Sequence, residues 1–199
     1  PFGLIRVGAT RHYSVVIEAH PDGDELVDGE RVNSMVAHWG AWLAQRGIEE
    51  GIAGASVTIE SAPDTGLRLQ RMVRENMSPD SSRFGTQVAA AIPEEYSGGS
   101  PILTTRLTVT FDGRTVDGSG KDRGVEEMAD EIGNRLPVIL AGLYDTGAGT
   151  TVRAATAQDI IDATRTAYDP TTARLIEEAR AEGGTGLRWE DAGPSFHLD

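Results

Sequence analysis

Cysteine is absent from all 199 residues, which removes disulfide scaffolds, thiolate zinc sites and cysteine nucleophiles together. Lysine occurs once, at Lys121, and 18 basic residues face 31 acidic ones for a net charge of −13. A surface of that sign repels phosphate backbones and anionic headgroups, so direct nucleic-acid binding is not expected. No apolar run approaches the ~20 residues needed to cross a bilayer, and nothing after Pro1 resembles a signal peptide. The chain starts at Pro1 instead of Met and stops at Asp199 without a closing strand. It is therefore expected to be a soluble piece of a longer cytoplasmic protein.

What is present suffices for one sizeable core, since 39% of the residues are hydrophobic. Tyr13 to His20 is β-branched and ends at Pro21-Asp22-Gly23-Asp24, the pattern of a strand leaving the core at a turn. Val32, Met35, Val36, Trp39 and Leu43 recur every three or four residues, predicting an amphipathic helix that ends at Gly47. Ala55 to Ala62 alternates as a second strand. Helices fit Gly66 to Asn76 and Ser82 to Ile92. Leu103 to Phe111 alternates most regularly, predicting a strand with one buried face and one face of threonine and arginine.

A long helix is expected from Val125 to Tyr144, kinked or divided at Pro137 because proline removes a backbone donor. Gly147 to Ala154 reads as a fourth strand. Helices follow over Thr156 to Tyr168, with Thr156 as N-cap, and over Thr171 to Glu182. Two βαβ units joined by a helical insertion predict an α+β, ferredoxin-like fold, a four-stranded sheet with helices on one face. Residues 1–182 are expected to form this one domain, with 183–199 a loose tail toward a further domain.

Few constellations offer chemistry. Ala19-His20-Pro21-Asp22-Gly23-Asp24-Glu25 resembles the A-H-P-D-D-E zinc motif of N-acetylglucosaminyl deacetylase-like hydrolases. On that alternative, His20, Asp22 and Asp24 hold a metal for hydrolysis. Gly23 splits the paired aspartates, however, and a zinc hydrolase needs a third ligand with an open position for water. The other histidines, His12, His38 and His197, supply no evident one. The glycine-rich loop 113–124 carries Asp117 and Asp122 and lacks a following Gly-Lys-Ser/Thr, so it makes a poor phosphate cradle. No G-x-S-x-G elbow occurs. Glu126, Glu127, Asp130 and Glu131 read as a solvated helix face, not an acid–base pair. Trp39 and Trp42, three apart on the first helix, are either core or an aromatic anchor for a partner.

Five short stretches, in order and at similar spacing, carry a family resemblance. They are Trp39-Gly40-Ala41-Trp42-Leu43-Ala44, Ala62-Pro63-Asp64-Thr65-Gly66, Arg135-Leu136-Pro137, Ala167-Tyr168-Asp169-Pro170 and Trp189-Glu190-Asp191-Ala192-Gly193-Pro194. Together they resemble actinobacterial conjugation-associated proteins, encoded beside PrgI-type membrane proteins and type IV secretion traffic ATPases on integrative conjugative elements. The region is also similar in pattern to the amino-terminal domain of VirB-type traffic ATPases, without their motor.

The resemblance implies hydrophobic anchoring helices upstream, a further domain downstream and a place at the inner face of the cell membrane. It implies a non-enzymatic scaffold of a type IV secretion-like machine, in contact with the traffic ATPase and the PrgI-type membrane protein. No cofactor is implied. The rivals are the metal-dependent hydrolase and a module binding a small ligand on the open sheet face.

Overall fold

A computed structural model describes residues 1–21, 27–78, 80, 82–96, 101–114, 122–149 and 151–194. The chain runs β1 (Leu4–Val7), β2 (His12–Ala19), α1 (Gly29–Ile48), β3 (Ile52–Pro63), α2 (Leu67–Glu75), α3 (Arg83–Tyr96), β4 (Pro101–Asp112), α4 (Val125–Ala141), β5 (Arg153–Ala154), α5 (Ala157–Tyr168), a 3-10 turn (Pro170–Thr172), α6 (Ala173–Ala181) and α7 (Trp189–Ala192). The class is α+β. Among the described residues, five strands form one sheet in the order β1-β2-β4-β3, with β5 also on β2.

Two compact units divide the chain. The first comprises Pro1–Ile59 and Thr104–Ile160, and the second Glu60–Leu103 and Ile161–Asp199. Sequence reasoning led instead to a single body ending at residue 182.

In the first unit, β2 pairs antiparallel with β1, β4 and β5. The Asp112 N–H donates to the Gly51 carbonyl at 2.8 Å, which sets the start of β3 beside the end of β4. Register explains the core. Tyr13, Val15 and Ile17 stand opposite Phe111, Val109 and Leu107, so the apolar positions of both strands share one face. Onto it α4 lowers Met128, Ile132, Leu136 and Ile139, and α1 lowers Trp42. Val15, Ile17, Val109, Phe111, Met128, Ile132 and Ile139 are wholly buried, each side chain worth roughly 1.5–3 kcal/mol of transfer free energy. The opposite face carries the predicted hydroxyls and arginine. Ser14 and Thr110 hydrogen-bond through their hydroxyls at 2.8 Å, and Arg106 faces Glu18.

Pro137 does not divide α4, which runs unbroken from Val125 to Ala141 and stops short of Tyr144. Burial of one stripe holds the helix through the proline, and its last carbonyls are all engaged. Those of Val138, Leu140 and Ala141 accept from Gly142, Leu143 and Tyr144, while that of Ile139 accepts from the Trp42 indole at 3.0 Å. Gly142 permits this approach, since a Cβ there would lie 2.9 Å from the Trp42 ring.

The expected strand over Gly147 to Ala154 shrinks to Arg153–Ala154. Gly147 and Gly149 hold left-handed φ of 79° and 93°, outside the strand region. Gly149 also presses so closely on the His20 carbonyl that any Cβ would collide with it. β1, which sequence reasoning missed, fills the other part of the same β2 edge.

In the second unit, α2 packs against α3 and α6. Turn chemistry sets its helix starts. Asp64 accepts from the Gly66 N–H at 2.8 Å, and Asp169 accepts from the Thr171 N–H at 3.2 Å before Pro170. Residues 185–192, expected as loose tail, are fastened. The Thr185 hydroxyl donates to Asp162 at 2.6 Å, and Ala192 on α7 is 1% exposed.

Candidate interaction surface

His20 follows the central strand and is exposed, its backbone packed closely against Gly149. Asp22 and Asp24 lie outside the described residues. Among those described, no group of three or more His, Cys, Asp or Glu side chains could hold a metal ion. Ser34 Oγ and His38 Nδ1 stand 3.5 Å apart at i,i+4 spacing on α1, and His38 is exposed.

Trp39 and Trp42 are brought together. Their rings stack 5.3 Å apart with 8° between planes. Trp42, 5% exposed, belongs to the core and spends its N–H on Ile139. Trp39 covers it, half-buried. Little of Trp42 is left for a partner to touch.

Below this stack runs a ladder of charges that the sequence did not single out. Arg46 Nε lies 2.8 Å from Glu49 Oε2, and its guanidinium sits 5.2 Å from the Trp42 ring centroid. Arg135 reaches Glu49 at 3.5 Å and Glu131 at 3.0 Å, donates to the Glu50 carbonyl at 2.9 Å and stands over Phe111. Glu131 also pairs with Arg123. The i,i+3 spacing of Arg46 and Glu49 and the i,i+4 spacing of Glu131 and Arg135 were visible signals. Arg135 of the Arg-Leu-Pro stretch thus ties α4 to the residues that follow α1.

A second polar cluster lies at the other edge. Arg153 pairs with Glu18 and donates to Asp159 at 2.8 Å. Asp159 also accepts from the Thr156 N–H and hydroxyl, and the Asp159 N–H returns to Thr156 Oγ1. This reciprocal cap starts α5. Burial disfavours the Asp159 charge, but the Arg153 guanidinium and the Thr156 donors outweigh it and hold the carboxyl well below the usual range. On the surface, the Arg114 guanidinium draws Asp112 down to about 2. Both carboxylates are favoured in their charged form by a neighbouring arginine.

The third feature is an open edge. Among the described residues β3 ends the strand order, and its residues 53–59 are all exposed, including Val57 at 45% and Ile59 at 68%. Between this edge and the end of α1 lies a groove walled by Leu43, Arg46 and Gly47 on one side and residues 52–55 on the other. Edge strands present unpaired N–H and C=O groups, and natural proteins usually blunt them with charge or proline. Residues 52–59, IAGASVTI, contain neither.

Compared with protein-family models, with curated proteins and with solved structures, the chain finds no match in any of the three.

Proposed function

We propose that this chain is a protein-contact domain that uses an open sheet edge, and that it serves as a non-enzymatic scaffold in a type IV secretion-like conjugation machine. The observation that carries the contact reading is the uncharged, exposed run 53–59 on β3. Unpaired strand edges bind other chains through main-chain hydrogen bonds, with affinity gained from backbone pairing and selectivity from alternate side chains.

The five stretches led by the tryptophan pair support the placement in the machine. Its proposed partners are the secretion traffic ATPase and the PrgI-type membrane protein, at the cytoplasmic face of the cell membrane. The finer fold is proposed as ferredoxin-like. The order β5-β2-β4-β3, with α1 between β2 and β3 and α4 between β4 and β5, supports two interleaved βαβ units.

Affinity capture of the intact protein with both neighbours tests the reading. Retention of the ATPase or the membrane protein is expected, and recovery of neither overturns the placement in the machine.

A further inference from the structure

Arg46 is 6% exposed, yet its Nη1 has no hydrogen-bond partner. A guanidinium keeps its charge and its five donors wherever it is placed, so a buried N–H without an acceptor is destabilising. Glu49 lies against Nε and the Trp42 ring lies 5.2 Å from the guanidinium carbon. Neither supplies an acceptor for Nη1. The groove beside it has a volume of about 320 Å³, near the lower limit of roughly 300–1,000 Å³ for small-molecule sites. Two of its lining residues are glycines on open surface, since a Cβ at Gly47 or Gly54 would meet nothing within 4 Å.

We propose that this groove takes an extended C-terminal segment of another polypeptide, added antiparallel to β3, with its terminal carboxylate on Arg46. This deepens the reading of the chain as a protein-contact domain and rests on it, though not on the conjugation machine. Two needs of the site converge on this occupant. The β3 edge wants backbone donors and acceptors, and Arg46 wants an anionic acceptor.

Direction follows from the sheet. A strand added antiparallel to β3 ends beside Ile52, where β3 begins and where the Arg46 wall of the groove stands. The C-terminus is therefore the group delivered to the guanidinium. A phosphate is the poorer match. The site lies at the C-terminal, electronegative end of α1, beside Glu49, in a chain of net charge −13. One carboxylate that also gains strand pairing tolerates that field better than a dianion.

The test pans the immobilised chain against a displayed library of random heptapeptides with free C-termini. Enriched peptides are then resynthesised as acids and as C-terminal amides and titrated by NMR. Expected are backbone shifts confined to residues 43–58, and weakening by about tenfold or more for the amides and for Arg46→Gln. The acid–amide comparison uses the unaltered chain, so it stands even if Arg46→Gln fails to fold. Arg46→Lys, which keeps the charge but not the fork, is expected to fall between the two. No enrichment, binding indifferent to amidation, selection of internal acidic residues, or shifts elsewhere would each overturn the proposal. Capture of the secretion neighbours without peptide enrichment would sink the groove alone. Peptide binding without capture would sink the machine alone.

Discussion

The two units are built on different principles. The first places most of its fully buried side chains in one apolar cluster, from Val15 and Ile17 through Phe111 to Ile132 and Ile139. In the second, the largest of the fully buried side chains is a carboxylate, Asp162 at 1% exposure, held by the Thr185 hydroxyl and standing 3.6 Å from Arg180. Its apolar burial is modest, Ile176 at 9% and Ala192 at 1%, while Phe84, Met72 and Trp189 stay exposed. The boundary falls inside α5, so one helix supplies Asp159 to the first unit and Asp162 to the second. Apolar burial gives stability that no single bond controls, whereas a polar clasp depends on each member being present. The first unit should behave as a rigid support, and the second should open locally.

The largest effect expected follows from Phe111, which packs against Tyr13 across the strand pair and under Arg135. Phe111→Ala should cost about 3–5 kcal/mol through lost transfer energy and the cavity left behind. Urea unfolding followed by hydrogen exchange on residues 104–140 measures it. A loss as small as that of a surface substitution would break the contrast.

In the second unit, Asp162→Ala should cost less, about 1–3 kcal/mol, because Arg180 and Thr185 can turn to water. Its signature is regional. Amides 185–192 should lose protection while those of β2 and β4 keep theirs. Equal loss in both units would mean that the clasp and the core unfold as one.

This contrast was only half legible in the sequence. The alternation of β4 announced a strand and its two faces, and Leu107, Val109 and Phe111 are indeed core. Leu103 continues the same pattern yet is 59% exposed. Alternation records which residues share a face, but covering that face requires an element from elsewhere in the chain. β3 shows the limit plainly, since S-V-T-I-E predicts a strand and leaves open whether any partner meets it.

The clasp was hidden by distance. Thr185 follows Gly183-Gly184, a local sign of loose chain, and its partner Asp162 lies 23 residues earlier. Arg46 was hidden by plausibility, because a basic residue in the last turn of α1 looks like ordinary helix-dipole compensation. Pro137 and the glycines at 147 and 149 pull in opposite directions. Packing overrides the local break at the proline, whereas backbone conformation overrides apparent strand content at the glycines.

The smallest effect expected tests the polar part of the first unit. Asp159 is 7% exposed, but Arg153 is about half exposed at 48%, so water screens their pair and the gain is modest. Asp159→Asn keeps an acceptor for the Thr156 N–H and should cost about 1 kcal/mol near neutral pH.

The pH dependence separates this from a packing defect. A carboxyl whose folded value lies below its unfolded one binds fewer protons when folded, so its contribution is complete above the unfolded value, about pH 4. It is lost as pH falls through the folded value. Asp112, drawn to about 2, and Asp159, likewise lowered, both contribute to this acid loss. The stability gap between the native chain and Asp159→Asn should therefore hold from neutrality to about pH 4 and close below it. Urea midpoints across that range measure the gap. A gap that stays constant into acid would show that Asp159 acts by shape alone, with no contribution from its charge.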